Sequence, residues 1–206
     1  MPTFESRHGL DSRAGTALFL KRWLRRPFSM GAVIPSGRLL TEAMARETVQ
    51  ALEGRPGHVV ELGAGTGEVT KALLAAGIPS TRLALVERDP ELAAFLRRHF
   101  TEPRIIEGDA ARLPELLAEN GIATIAAVVS GLPLLSLPAD IVNGIVRGVF
   151  EALPRGGAFI QFTYGPTPPV PSALRRDLRL VGTRGGRIWR NIPPAVVWTF
   201  RRPPAA

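Results

Sequence analysis

The sequence predicts a single α/β domain of Rossmann-like type, with a mostly parallel sheet of seven strands covered by helices on both faces. Three observations predict it. Short apolar segments of strand length alternate with helical segments through the middle of the chain, and a βαβα order of this kind builds a parallel sheet. A glycine cluster, Gly63-Ala64-Gly65-Thr66-Gly67, stands between the first of these strands and the helix after it, which is the context a ligand-binding glycine loop requires. The chain has 206 residues, 45% of them hydrophobic; that suffices for one core of this size but not for two.

Each element can be justified in order. Residues 12–26 read as a basic amphipathic helix: Ala17, Leu20, Trp23 and Leu24 form one apolar stripe, while Lys21, Arg22, Arg25 and Arg26 gather at its C-terminal end and Pro27 stops it. A second helix covers 35–52, with Ser36 as N-cap. Then come a strand at 58–62, a helix at 66–76, a strand at 82–87, and a helix at 90–100 opened by a proline in its first turn. A strand at 104–107 and a helix at 110–119 lead to a continuous apolar run of strand length at 122–129. A helix at 139–153 and a strand at 158–164 complete the alternation. Pro166, Pro168, Pro169 and Pro171 mark a loop. Residues 178–181 and 196–201 read as two last strands, one of them antiparallel, separated by a glycine- and arginine-rich loop. The organisation expected is a basic N-terminal segment, 1–40, that contacts a membrane and closes as a lid, followed by a domain over 41–206.

Composition narrows the chemistry. There is no cysteine, which excludes disulfides, thiolate metal sites and a thiol nucleophile. His8, His58 and His99 lie far apart and lack metal-ligand spacing, so no metal site is expected. The formal net charge is +8, which speaks for anionic partners, nucleic acid or an anionic membrane surface, rather than for a fold. No secretory signal and no uncharged apolar run of about 18 residues is visible, so the expectation is a cytoplasmic protein.

The glycine spacing separates two kinds of ligand. A dinucleotide fingerprint, G-x-G-x-x-G, needs glycine at position 68, where this chain has Glu68. The run G-x-G-x-G, with Gly63, Gly65 and Gly67 preceded by Glu61, resembles motif I of the class I methyltransferases. What the resemblance implies is a class I methyltransferase fold that binds S-adenosylmethionine and releases S-adenosylhomocysteine. Such a ligand carries an ammonium that Glu61 can attract. Glu87 ends the second strand and can accept both ribose hydroxyls. Asp109 follows the third strand and can accept from the adenine amino group, with the Ala110 N–H donating to the ring. The plainer alternative is a structural glycine turn beside solvated strand-end acids; three acids in register over consecutive strands argue against it.

The acceptor side carries a narrower resemblance. Ser130-Gly131-Leu132-Pro133, Phe159-Ile160-Gln161-Phe162-Thr163-Tyr164-Gly165-Pro166 and Trp189-Arg190-Asn191-Ile192-Pro193-Pro194-Ala195, together with Phe19-Leu20-Lys21 through Pro35-Ser36, are similar to the signatures of bacterial phosphatidylethanolamine N-methyltransferases. The resemblance covers most of the chain. It implies methyl transfer to the amine of phosphatidylethanolamine and its mono- and dimethyl derivatives, giving phosphatidylcholine. It also implies a monomer bound peripherally to the inner face of the cytoplasmic membrane. Tyr164 and Ser130 are the expected catalytic pair: the Tyr164 hydroxyl orients the amine or bonds the lipid phosphate, unless it is an ordinary strand-end tyrosine. Arg187, Trp189, Arg190 and Asn191 are expected at the lipid head group. Lys21, Arg22, Trp23, Arg25 and Arg26 are expected at the anionic interface, and Met30, Gly31 and Ser36 in a lid over the cofactor.

Two rivals follow from the same residues. An rRNA adenine dimethyltransferase shares the fold and suits a basic surface, but expects Asn-Leu-Pro-Tyr or a close variant after the fourth strand. Here Gly131 removes the amide and leucines stand at 134–135, so no nucleic-acid partner is expected. A catalytically silent lipid- or protein-binding module is the other rival, against which the intact acids at 61, 87 and 109 argue.

Overall fold

The structure, a computed structural model, describes residues 35–164, 167–188 and 194–203. Its frame is one sheet of seven strands: β1 (His58–Leu62), β2 (Leu83–Glu87), β3 (Arg104–Glu107), β4 (Ile125–Ser130), β5 (Ala158–Tyr164), β6 (Val181–Ile188) and β7 (Ala195–Arg201). The strand order is β3-β2-β1-β4-β5-β7-β6. β1 through β5 pair in parallel, and β7 runs antiparallel to both β5 and β6. The expected fold class is therefore present, with the antiparallel strand set between β5 and β6. The chain travels outward from β1 to β3 and returns to β4 beside β1, so the direction switches at the β1–β4 boundary. The carboxyl ends of the strands there form the crevice in which open α/β sheets bind ligands.

Alternation assigns the two faces. On one, Val60, Leu62, Val86, Ile106, Val128, Phe159, Trp198 and Phe200 pack under α4 (Leu113–Glu119), α5 (Ala139–Ala152) and α6 (Ser172–Asp177). Phe150 of α5 meets Phe159 edge-on, and Phe200 lies between Phe159 and Trp198. On the other face α1 (Pro35–Leu52) lies against β4, β5 and β7 and beside α2 (Glu68–Ala75). α3 (Pro90–His99) is capped by Asp89, whose carboxylate accepts from the Glu91 and Leu92 N–H groups. Burying side chains of this size stabilises each by about 1.5–3 kcal/mol, so the order of the sheet rests on its apolar faces.

Three terminations explain where the elements differ from the expected ones. α2 and α4 each end on a left-handed glycine followed by isoleucine: Gly77 (φ 89°) with Ile78, and Gly121 (φ 65°) with Ile122. In each the isoleucine N–H returns to a carbonyl in the last turn, Ile78 to Leu73 at 3.1 Å and Ile122 to Leu117 at 2.9 Å. This is the Schellman arrangement, whose apolar residue covers the helix end. Ile122 is therefore apolar because it seals α4, and the strand expected from 122 begins at Ile125. The helix expected over 110–119 divides into a 3₁₀ turn, Ala110–Arg112, and α4, whose second residue is Pro114.

The third termination overturns an expected strand. Residues 178–180 close α6 instead: the Leu180 N–H bonds the Arg175 carbonyl at 2.8 Å, and Arg179 holds the left-handed position at φ 52°. Leu178 and Leu180 alternate like strand residues, and arginine hides the stop that glycine announces elsewhere. β6 instead runs through the segment expected as a loop, Gly182 to Arg187. Two of its three glycines have steric reasons there, since a Cβ at Gly182 would lie 2.7 Å from the Phe200 ring and one at Gly185 3.0 Å from the Val197 carbonyl. An edge strand with a register shift between Arg184 and Arg187 tolerates such a sequence.

A non-glycine residue in the left-handed region is strained by about 1 kcal/mol. Arg179→Gly is expected to raise stability by up to about 1 kcal/mol, or roughly 2–4 °C in melting temperature, and Arg179→Val to lower it. Thermal unfolding of the three proteins checks this, and a glycine variant less stable than the parent would contradict the assignment.

Candidate active site

The carboxyl ends of β1, β2, β3 and β4 are tied together by backbone hydrogen bonds. Gly63 N–H donates to the Val86 carbonyl at 2.8 Å, Gly108 N–H to Glu87 at 3.0 Å, and Gly131 N–H to Leu62 at 2.9 Å. The glycine loop needs its glycines for different reasons. Gly63 (φ 67°) leaves the space filled by Leu132, whose Cδ2 would lie 2.5 Å from an added Cβ. Gly67 (φ 80°) caps α2 and leaves room for the Phe100 ring, 2.5 Å from its own added Cβ. Gly65 (φ 56°) is different: an added Cβ would meet nothing within 4 Å. At that point the loop faces open space, and its glycine serves conformation and close approach.

Two of the three acids are buried. Glu61 is 1% exposed; alternation turns it toward α2, where Thr70 Oγ1 donates to Oε2 at 2.6 Å. Burial pushes its carboxyl up to about 8, against the Thr70 bond, with the Glu87 charge adding to the rise. Glu61 is thus neutral at neutral pH. Glu87 takes two backbone donors, Gly65 N–H on Oε2 at 2.8 Å and Asp89 N–H on Oε1 at 2.9 Å. Burial raises its carboxyl too, and the bonds from Asp89 and Gly65 oppose that rise. Asp109 is more open. Its Oδ1 accepts from Ala111 N–H at 3.0 Å, and its Oδ2 lies 3.6 Å from Arg88 Nη1. Ala110, at the start of the 3₁₀ turn, is buried beside it.

Ser130 and Tyr164 end neighbouring strands. Ser130 is fully buried, and its Oγ accepts from its own turn, the Leu132 N–H, at 3.2 Å. Tyr164 is 45% exposed with its ring edge-on to Phe162. Partial burial pushes its phenol above the usual 10, so the hydroxyl is neutral and has no basic role at physiological pH. Met30, Gly31, Trp189, Arg190, Asn191 and the basic set Lys21, Arg22, Trp23, Arg25 and Arg26 lie outside the described residues, as do the side chains of Ser36 and Arg187. Among the described residues no group of three or more His, Asp or Glu could hold a metal ion, and no helix is long and apolar enough to cross a membrane.

Several residues of the site were not singled out from sequence. Thr70 is the partner of Glu61, Asp89 organises the Glu87 turn, and Gln161 donates from Nε2 to the Leu132 carbonyl at 2.8 Å. A signal existed for Gln161, a glutamine amid Phe159, Ile160 and Phe162 in a strand that is buried on both faces up to Thr163. No such signal marked Thr70, which reads as one more helix residue.

No protein-family model matches the chain. It is 35% identical over 190 residues to the ornithine lipid N-methyltransferase of Singulisphaera acidiphila, covering 89% of this chain and 94% of that protein. The chain belongs to that methyltransferase family. It is a methyltransferase dependent on S-adenosylmethionine. A shorter match joins this methyltransferase to the probable ribosomal RNA small subunit methyltransferase A of Haloarcula marismortui, 46% identical over 69 residues, 30% of this chain and 23% of that protein. The fold is that of solved class I methyltransferases. The magnesium protoporphyrin IX methyltransferase of Synechocystis superposes at a TM-score of 0.66 with 15% identity over 96% of this chain and 100% of that one. The 1,6-didemethyltoxoflavin-N1-methyltransferase of Burkholderia thailandensis does so at 0.66 with 17% identity over 98% and 94%.

The buried acid of this methyltransferase has a thermodynamic signature. The native state keeps the Glu61 proton up to about pH 8, whereas the unfolded chain loses it near 4.5. Between these values the unfolded state binds fewer protons, so stability falls as pH rises through the window. Glu61→Gln keeps an acceptor for Thr70 and removes the titration. Its melting temperature relative to the parent is expected to climb by several degrees between pH 5 and pH 8, about 1 kcal/mol being worth roughly 2–4 °C. A pH-independent difference would contradict a buried, neutral Glu61.

Proposed function

We propose that this protein N-methylates the amine head group of a membrane lipid. The observation that carries the reading is the identity of 35% over 190 residues to an ornithine lipid N-methyltransferase. Phosphatidylethanolamine, with its mono- and dimethyl derivatives on the way to phosphatidylcholine, is the acceptor that the sequence motifs favour. Ornithine lipid is the one in the relative's name. Both offer an amine on a lipid, and the same site chemistry serves either.

The residues fit the cofactor. Glu61, buried and neutral alone, would ionise against the ammonium of the bound methyl donor. Glu87 has a free lone pair on each oxygen beyond its two backbone bonds and would take the ribose hydroxyls. Asp109 and the Ala110 N–H would take the adenine edge, and the open space at Gly65 admits the ligand against the loop backbone. When bound, S-adenosylmethionine supplies an electrophilic methyl on a sulfonium.

The chain's part in the transfer is positioning and control of protonation. The attacking amine must be neutral; with a lysine-like pKa, roughly three units above neutral, deprotonation costs about 4 kcal/mol. Neither Tyr164 nor Ser130 is a base, so the proton leaves to water before the amine is held. Ser130 shapes the turn after β4, and Tyr164, half open at the end of β5, orients the amine or bonds the head-group phosphate. In this reading the basic N-terminal segment would bring the enzyme to an anionic membrane surface, and Arg187, Trp189, Arg190 and Asn191 would serve the head group. A peripheral position on the cytoplasmic face of the membrane goes with this reading.

Incubation with labelled S-adenosylmethionine and vesicles of phosphatidylethanolamine or ornithine lipid, with and without added anionic lipid, tests the reading. Label is expected in the lipid amine, more strongly on anionic vesicles; label only in added ribosomal RNA would reject the lipid acceptor. Tyr164→Phe is expected to lower kcat for lipid methylation by at least about tenfold, the loss of roughly 1.4 kcal/mol of transition-state stabilisation. Cofactor affinity should stay unchanged. Near-parental turnover would assign Tyr164 to the strand end alone.

A further inference from the structure

The turn after β4 is held from three sides, and one of the groups that hold it lies on the neighbouring strand. Gln161 is fully buried on β5, directly opposite Ser130 in the parallel register. Its Nε2 donates to the Leu132 carbonyl at 2.8 Å and to the Phe162 carbonyl at 3.0 Å. Leu132 is also bonded at its N–H by Ser130 Oγ, and Gly131 is tied to Leu62 at the end of β1. The Leu132 side chain is 5% exposed and fills the space that Gly63 leaves open, 2.5 Å from an added Cβ. A continuous path of contacts therefore runs from β5 through the Gln161 amide and the Leu132 backbone to the glycine loop.

We infer that Gln161 is a positioning residue that presses Leu132 against Gly63 and so couples the turn expected to face the acceptor to the loop expected to hold the cofactor. Its action is through Leu132, not by contact with either ligand. The geometry has one further property. Among the described residues Gln161 Oε1 is buried without a hydrogen-bond partner, so the amide's bonds to them run through its N–H₂ end. A carboxylate at this position would set one oxygen against two carbonyls and leave the other without a donor. Only its protonated form could donate to Leu132.

The placing of the acceptor at this turn rests on the function proposed above; the coupling to the glycine loop does not, and the test separates them. Binding of S-adenosylhomocysteine is measured by titration calorimetry for the parent, Gln161→Met, Leu132→Ala, the double variant and Gln161→Glu, with melting temperatures alongside. Gln161→Met and Leu132→Ala are each expected to weaken binding several-fold. The double variant should be no weaker than the worse single, because both act on one contact. Gln161→Glu should bind more tightly than Gln161→Met at pH 6 and lose that advantage as pH rises to 9, as the acid gives up the proton it donates. The parent and Gln161→Met supply the background pH dependence. A purely structural glutamine would lower the melting temperatures, leave the affinities of the folded variants within twofold of the parent, and give a flat Glu-to-Met ratio across pH; that result overturns the inference. If Gln161→Met does not fold, the pH profile of Gln161→Glu against the parent and the effect of Leu132→Ala decide it in the same sense. The kcat for lipid methylation, expected to fall at least as far as cofactor affinity, is a separate arm: a parent without lipid activity removes the acceptor assignment and leaves the binding measurements readable.

Discussion

Glu87 accepts a backbone hydrogen bond on each carboxylate oxygen, from the glycine loop at Gly65 and from the turn at Asp89, and it does so from a buried position at the end of β2. Gly65 has φ 56°, a conformation that the loop must hold without help from side chains of its own. A charge-assisted bond to a backbone N–H is about twice as strong as a neutral one. The same carboxylate orients the start of α3 through Asp89, whose side chain caps that helix. Remove it, and two adjoining loops lose their shared fixed point. The remaining seams of the crevice, Gly63 to Val86, Gly108 to Glu87 and Gly131 to Leu62, are backbone bonds between neighbouring strand ends.

The electrostatics of the crevice run against those of the surface. The chain carries a formal charge of +8, while Glu61 and Glu87 stand near the ends of β1 and β2 and Asp109 lies two residues beyond β3. Burial raises the carboxyls of both Glu61 and Glu87, which lessens the repulsion between these two acids. The Thr70 hydroxyl, bonded to Glu61 Oε2, opposes that rise.

Much of this was legible before any coordinates. The Gly63–Gly67 spacing, Glu68 in place of a sixth-position glycine, and acids at or just after three successive strands pointed to the fold class and to S-adenosylmethionine, because these features are local and periodic. Less legible were features in which one residue type does another's task. Arg179 occupies a left-handed position that Gly77 and Gly121 mark openly elsewhere, so the end of α6 was hidden and two leucines passed for a strand. Gly182 and Gly185 looked like a loop because their reason, the Phe200 ring and the Val197 carbonyl, lies on another strand. Ile122 looked like the start of β4 when it covers the end of α4. The Thr70–Glu61 and Gln161–Leu132 contacts join residues 9 and 29 positions apart, and nothing in either local pattern points to the other member.

The position of β7 has a consequence for how the chain reaches its native state. β7 follows both β5 and β6 in sequence yet lies between them in the sheet. Until its residues leave the ribosome, β5 has an open edge carrying Phe159, Ile160 and Phe162, and β6 has no partner. A nascent chain complete through β6 therefore exposes an unpaired apolar strand edge, which is a template for pairing with other chains. The final step is an insertion between two strands rather than an addition at a margin, and such late, non-local pairing is slow. Synthesis speed and chaperone access over this stretch should bear on the yield of this enzyme more than any feature of its binding site.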